Sequence, residues 1–288
     1  MTPEIVILNK RSFQLTSQNN LRRKALPNAA DFLPIIRDEI LLLENERLLS
    51  TIDELIEKTS GEKFYLVMLG LFKRGKSSII NALLQNEIVP TGVIPLTAII
   101  TIIEYGTENY AEINFLDGKK EKIPIEEVYK FVAEKENPKN IKNVALMKIY
   151  FNSEILKSVT IIDTPGVGSS LEHNTETTNE FIEKIDAALF ILSVDVPITK
   201  AEVEFLKKIK TSVPKIIFVL NKIDLFTAEQ LDEAENYNLG VLNEICDRKP
   251  LEILRISGRN AIAGVVKGEK TLIEESGINS LNFRACRQ

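Results

Sequence analysis

"GLFKRGKSSIINALL", residues Gly70 to Leu84, is the stretch on which the reading of this chain turns. It stands directly behind the apolar run Phe64-Tyr65-Leu66-Val67-Met68-Leu69, which reads as a buried strand, and it ends in a helical pattern. Gly70-x-x-x-x-Gly75-Lys76-Ser77 is a phosphate-binding loop in its proper strand–loop–helix setting. The glycines let the backbone curl so that successive N–H groups face phosphate oxygens, and the helix start adds a favourable dipole. Lys76 then reaches the β- and γ-phosphates and Ser77 becomes a ligand of Mg²⁺. Gly70, Lys73, Arg74, Gly75, Lys76, Ser77 and Ser78 are the predicted phosphate-side residues, with the Lys73-Arg74 pair an unexplained excess of charge in the loop.

Outward from this loop, strand and helix patterns alternate, which implies an α/β fold with a mostly parallel sheet flanked by helices. Predicted strands cover Phe64–Leu69, Ala98–Tyr105, Ala145–Asn152, Val159–Asp163, Ala187–Ser193, Lys215–Asn221 and Leu251–Ile256. Helices fit Lys76–Leu84, Glu176–Ile185, Thr199–Lys210, Ala228–Ile245 and a short piece at Arg259–Val266. Between Gly106 and Asn143 the pattern breaks into a hairpin turning at Asp117-Gly118 and a short helix near Ile125–Ala133. Upstream, residues 1–30 are a polar lead-in. Residues 31–60 carry apolar positions at helical spacing from Pro34 to Thr59, and 61–288 form the main domain.

Composition sets outer limits. The 288 residues are 44% hydrophobic and 27% charged, as in an ordinary soluble protein, and the net charge of −5 argues against nucleic acid as a partner. Two cysteines make no disulfide framework and point to a cytoplasmic setting. The start, Met1-Thr2-Pro3-Glu4, lacks a signal-peptide layout, and no apolar run approaches the ~18 residues that cross a bilayer, so membrane contact is expected to be peripheral or made through another chain.

Asn221-Lys222-Ile223-Asp224 closes the strand Lys215–Asn221 and selects the base. An Asp carboxylate accepts from both N1–H and the 2-amino group of guanine; adenine lacks that donor pair and is rejected. Asn221 ties the loop to the base edge, the Lys222 stem lies along the base plane, and the Asp224 carboxylate reads the guanine. GTP and GDP are the ligands this order of motifs implies. Asp163-Thr164-Pro165-Gly166 adds an aspartate that holds Mg²⁺ through water and a Gly166 N–H that meets the γ-phosphate. Ser257-Gly258-Arg259, again after a strand, fits the loop that reaches the guanine O6.

The stretches "GLFKRGKSSIINALL", "VPTGVIPLTAIITIIEYG", "DTPGVGSSLEHNTETT", "DVPITKAEVEFL" and "VLNKIDLF" together resemble the dynamin superfamily of large GTPases, its bacterial branch above all. The resemblance runs from about Phe64 to Arg259. It implies a Mg²⁺-dependent GTP hydrolase in which Thr97 folds over the nucleotide, ligates the metal and helps place the attacking water. Thr101 is the runner-up for that role and reads as a core strand position. It also implies activation by dimerisation of the GTPase domains, as a homodimer or with a partner dynamin-like chain, and a part in membrane remodelling.

Where Ras-like enzymes carry a water-orienting Gln, this chain has Val167, so hydrolysis by the isolated domain is expected to be slow. At the loop place of Lys73, dynamins proper have a serine, while guanylate-binding proteins and atlastins have an arginine that swings onto the phosphates. Lys73 reads as a finger of the same kind acting in cis, or, with Arg74, as a solvated charge or a contact to a partner domain. His173, a few residues past Gly166, is of a type suited to a general base but reads better as a solvated loop residue, and Cys246 reads as a helix-face packing residue. The final GTPase-domain helix of the family is expected to be cut short near Gln288, and the helix at 31–60 corresponds to a neck element. A second reading stays open, a low-turnover GTP-binding module acting through a partner chain. A ribosome- or RNA-associated GTPase ranks last, since no basic appendage follows the domain.

Overall fold

The computed structural model describes residues 64–91, 99–133, 135–164, 185–246 and 252–281, together with 36–37, 40–41, 47–49 and 51–52. Two compact units divide the chain, residues 1–62 and 63–288. In the first, the described residues are helical, and all of them fall within the stretch predicted as a helix. The predicted lead-in at 1–30, the predicted helix at Glu176–Ile185 (save Ile185) and the final segment after Leu281 lie outside the described residues.

The second unit is built on one nine-stranded sheet, β1 (Phe64–Leu69), β2 (Ile100–Tyr105), β3 (Tyr110–Phe115), β4 (Lys120–Ile123), β5 (Val144–Phe151), β6 (Val159–Asp163), β7 (Ala187–Ser193), β8 (Ile216–Asn221) and β9 (Ile253–Ile256), in the order β4-β3-β5-β2-β6-β1-β7-β8-β9. The half that runs β6-β1-β7-β8-β9 is wholly parallel. Strands β2 and β5 pair with each other in parallel, and β2 meets β6 antiparallel. The excursion predicted between Gly106 and Asn143 is therefore no separate appendage. Its hairpin, β3 and β4, continues the central sheet by antiparallel pairing on β5.

Alternation within the strands explains why both faces are covered. In β1, Leu66 and Met68 enter one apolar cluster with Ile79 and Ile80 of α1 (Lys76–Leu84), while Val67 and Leu69 enter a second cluster with Leu206 of α3 (Lys200–Ile209) and Leu242 of α4 (Ala228–Ile245). Strand β7 is buried along its whole length, as expected for a central parallel strand with helices on both sides. Helix α5 (Gly258–Lys267) joins the α1 face through Ala261, and α6 (Lys270–Glu275) follows it without having been expected. The helix predicted near Ile125–Ala133 divides into a 3₁₀ turn, Ile125–Glu127, and the single helical turn α2 (Tyr129–Val132).

The two sheet edges are closed by different means. Lys120, Glu121 and Lys122 of β4 are exposed and charged. At β9 the Ser257 N–H donates to the Ser276 carbonyl at 2.8 Å, and Gly277 lies so close to the Arg255 carbonyl that a Cβ there would stand 2.1 Å from its oxygen.

Candidate functional site

The carboxyl ends of the parallel strands share one edge of the sheet, and four of the predicted motifs leave from it: Gly70 after β1, Asp163 closing β6, Asn221 closing β8 and Ser257 after β9. Such an edge is where open α/β sheets take ligands. Register fixes the neighbours. Met68 of β1 is opposite Asp163, Ser193 of β7 is opposite Asn221, and Asn221 is opposite Ile256.

The loop after β1 turns through Gly70 (φ 138°), Lys73 (φ 67°) and Gly75 (φ 92°), the last capping α1 in the left-handed region. Gly75 is required by space as well as by backbone, because a Cβ there would stand 2.1 Å from the Asn221 Nδ2. Asn221, 3% exposed, is the reason for the close approach: its Nδ2 donates to the Arg74 carbonyl at 2.9 Å, and its Oδ1 accepts from the Gly258 N–H at 3.1 Å. One side chain thus ties the phosphate loop, the N-K-x-D loop and the Ser257-Gly258 loop together. Ser78, half-buried on α1, backs onto Gly258, whose Cβ would lie 3.0 Å from the Ser78 carbonyl carbon.

Lys73 and Arg74 part company. Lys73 is exposed, its Nζ 5.7 Å from the ring centre of the exposed Phe72. Arg74 is buried, and its guanidinium is turned away from the loop's inner face. It donates to Glu202 of α3 (Nε–Oε1 3.0 Å, Nη2–Oε2 2.7 Å), to Ser193 Oγ at 3.0 Å, to the Val196 carbonyl and to the Pro197 carbonyl at 3.0 Å. Arg74 is thus neither a solvated charge nor a contact held open for a partner domain, and it meets the Asn221 side chain through its carbonyl.

Lys76 is buried and folds back on the loop, donating to the Gly70 carbonyl at 3.0 Å and the Leu71 carbonyl at 3.3 Å. Burial lowers its pKa, opposed by the charges of Asp163 and Glu202. Asp163 is fully buried, and among the described residues neither carboxylate oxygen has a hydrogen-bond partner. Burial pushes its pKa up to about 6 against the pull of Lys76. An ionised carboxylate in that position would be satisfied by a hard cation or its water, and together with the Ser77 hydroxyl on the first turn of α1 it could supply oxygen donors of the kind Mg²⁺ takes.

At the other end of the edge, Ser257 donates to Asp224 Oδ1 at 2.6 Å and so fixes the carboxylate plane. The same Ser257 Oγ accepts the Asn260 N–H as the cap of α5. Lys222, left-handed at φ 68°, pairs with Asp195 at 2.6 Å. Burial works against the charge of Asp195, but Lys222, Ser193 and the nearby Arg74 outweigh it and hold its pKa below the carboxylate range. Arg259 is exposed on the first turn of α5. Thr97, Gly166, Val167 and His173 lie outside the described residues.

A family model described as the Dynamin family matches residues 66–223, which takes in the phosphate loop, Asp163 and the start of N-K-x-D. The chain belongs to the dynamin family. Its GTPase domain is of the dynamin type. A protein from Caldicellulosiruptor sp. (strain Rt8B.4), described as "Uncharacterized protein in xynA 3'region", is 40% identical over 262 residues, covering 91% of this chain and 64% of that protein. Dynamin-like protein 2 of Campylobacter jejuni is 30% identical over 173 residues, covering 60% of this chain and 28% of its own length. The dynamin-family chain thus spans under two thirds of each of these relatives. Among solved structures, an oligomerised bacterial dynamin pair aligns with a TM-score of 0.68 at 21% identity, over 89% of this chain and 42% of that one, which shows the shared fold.

Two residues of this dynamin-type site escaped the sequence reading. Glu202, 0% exposed, receives Arg74 and also the Leu71 N–H of the phosphate loop at 3.4 Å, while Thr199 caps α3 against it. The capping-box spacing Thr199-x-x-Glu202 was visible, and it is the one signal that marked this glutamate. Asn81 on α1 clasps the chain leading away from the helix: its Oδ1 accepts from Ile88 N at 3.1 Å and Val89 N at 2.9 Å, and its Nδ2 donates to the Val89 carbonyl at 2.8 Å.

Proposed function

We propose that this chain binds GTP and GDP through Gly70–Ser78 and Asn221–Asp224, and hydrolyses GTP with Mg²⁺ as the ion at Ser77, Thr97 and Asp163. The observation that carries this reading is the Asn221 side chain, which joins the phosphate loop to the base-reading loops at 2.9 and 3.1 Å. A glycine turn before an ordinary helix has no use for such a link. In this reading Lys76 leaves the loop carbonyls for the β- and γ-phosphates, Asp224 accepts the guanine N1–H and 2-amino group, and Lys222 lies under the base. Gly166 offers its N–H to the γ-phosphate, and Ser257, Gly258 and Arg259 close the base side. Bound Mg²⁺ would supply charge neutralisation across the β- and γ-oxygens. Thr97 orders the attacking water, and the exposed Lys73 brings a positive charge to the leaving phosphate in cis.

Val167 leaves the domain without a glutamine to orient water, and this favours turnover gated by dimerisation. The oligomerised pair with the same fold is described as sensing and tethering membranes. Its likeness supports a peripheral role at membranes for this chain, working as an oligomer, with the helix at residues 31–60 as a neck element and 61–288 as the motor. No helix among the described residues is long and apolar enough to cross a membrane. The same Val167 supports the second reading, a GTP-binding module with little turnover of its own.

GTP hydrolysis followed across a wide range of protein concentration with Mg²⁺ present is the test. Specific activity that climbs with concentration supports a self-activating GTPase. A flat, near-zero rate beside tight GTP binding supports the binding module, and absence of both overturns the nucleotide reading.

A further inference from the structure

Four buried side-chain atoms among the described residues lack a hydrogen-bond partner: Thr101 Oγ1, Thr160 Oγ1, and both carboxylate oxygens of Asp163. Three of the four belong to two directly opposed residues. Strand β2 runs antiparallel to β6 with Thr101 directly opposite Asp163. Thr101 shares its strand face with Ile99 and Ile103, and Asp163 shares its own with Val159 and Ile161; all four of those apolar residues enter the cluster beneath α1. The hydroxyl and the carboxylate therefore lie on one face of the sheet, as directly opposed residues whose Cβ atoms stand about 5 Å apart, within reach of each other by side-chain rotation. Thr160 alternates to the other face, with Ile162, and is no partner for Asp163.

The chemistry is complementary. An ionised carboxylate only accepts, and a threonine hydroxyl has one proton to give. Two other side-chain donors of this region are engaged elsewhere, Lys76 Nζ with the Gly70 and Leu71 carbonyls and the Thr164 hydroxyl with the Met68 carbonyl at 2.9 Å, and the Ser77 hydroxyl is the one given to the ion in the reading above. Thr101 is 2% exposed, in a strand position flanked by Ile100 and Ile102, where valine would fill the same volume without a buried hydroxyl. Packing alone gives no reason for an oxygen there.

We propose that Thr101 is a positioning residue of the divalent-cation site: when the ion is bound its hydroxyl turns to donate to one oxygen of Asp163, so that the other is presented toward the ion. This rests on the GTPase reading above. Groups that orient a metal-binding carboxylate from behind act on metal affinity through the ligand they hold, without touching the ion.

The test compares the full chain with Thr101→Val and Thr101→Ser, using GDP release as a function of Mg²⁺ concentration and the melting temperature of each protein without nucleotide. The expected result has two parts of opposite sign. Thr101→Val melts no lower than the parent, since it trades an unpartnered hydroxyl for a methyl group, yet it needs about 10- to 100-fold more Mg²⁺ to slow GDP release. Thr101→Ser, which keeps the hydroxyl, stays within about threefold of the parent's Mg²⁺ requirement, well inside that range. A parent-like requirement in Thr101→Val overturns the proposal. So does a requirement raised equally in both variants, or one raised in step with a lowered melting temperature, because either marks a packing role. If GDP release from the parent itself ignores Mg²⁺ while GTP hydrolysis still needs it, the ion is not held at Asp163 in the GDP state and this proposal is overturned; if hydrolysis ignores it as well, the metal part of the GTPase reading falls first.

Discussion

Arg74 and Glu202 form a buried pair, Nη2 to Oε2 at 2.7 Å, with side chains 3% and 0% exposed. The pair joins the outer wall of the phosphate loop to the first turn of α3, and Arg74 adds Ser193, Val196 and Pro197 to the same junction. Removing one member leaves a buried charge and several unpaired donors. Glu202→Ala is expected to lower the free energy of unfolding by about 3–5 kcal/mol. The pair replacement Arg74→Met with Glu202→Leu recovers at least half of that loss, since it removes both charges together. Urea unfolding of the three proteins checks this; equal losses in the single and double variants would mean that the contacts to Leu71 and Thr199 outweigh the pair.

Base selection is expected to rest on Asp224. Ser257 holds one of its oxygens at 2.6 Å. In Asp224→Asn an amide NH₂ replaces an acceptor, so the guanine 2-amino group meets a donor while the 2-oxo group of xanthine meets a partner. GTP affinity falls by about 10²–10⁴ and xanthosine triphosphate binding rises above it. Competition of the two nucleotides against a fluorescent GDP analogue reads the switch.

The nucleotide-free, metal-free protein is expected to lose stability as pH rises through the acidic range. Asp163 has its pKa raised by burial from 3.8 to about 6. The folded state therefore holds a proton that the unfolded state releases. The stabilisation is full below about pH 4 and lost as pH passes about 6. Asp163→Asn removes the titrating group and is expected to flatten this pH dependence, while abolishing the Mg²⁺ dependence of GDP release. Melting curves at pH 4, 6 and 7.5 test the first part; a parent and variant with the same pH slope would refute it.

Lys73→Ala tests the cis finger. Lys73 is exposed, and alanine meets the same left-handed backbone at φ 67°, so fold and strain are left as they were. The expected outcome is a fall in kcat of about 10- to 100-fold at high protein concentration, with GTP affinity within about twofold. An unchanged kcat assigns Lys73 to solvent.

Much of the fold was legible because the strands differ from their surroundings in kind. Phe64–Leu69, Val159–Asp163 and Ala187–Ser193 are apolar runs bounded by glycine, proline or charge, and the structure has strands at those limits. The motif loops announced themselves because backbone curvature and base reading restrict residue type so tightly at Gly75 and Asp224. Arg74 was not legible. A lysine and an arginine side by side look alike in sequence, and which one is buried depends on Glu202, 128 positions away. The place of the hairpin was hidden for the same reason. Asp117-Gly118 predicts a turn, but only the pairing of β3 with β5 makes it part of the main sheet.

The treatment of the sheet's two edges has a consequence for assembly. At one rim Lys120, Glu121 and Lys122 would set like charges against a copy approaching strand to strand, and at the other the Ser276-Gly277 turn takes hydrogen-bonding and space beside β9. Growth by adding strand to strand, the geometry of fibres, is disfavoured at both ends. Among the described residues this leaves the helical faces and the carboxyl-end rim of the sheet as the surfaces on which copies of this chain would dock, body against body.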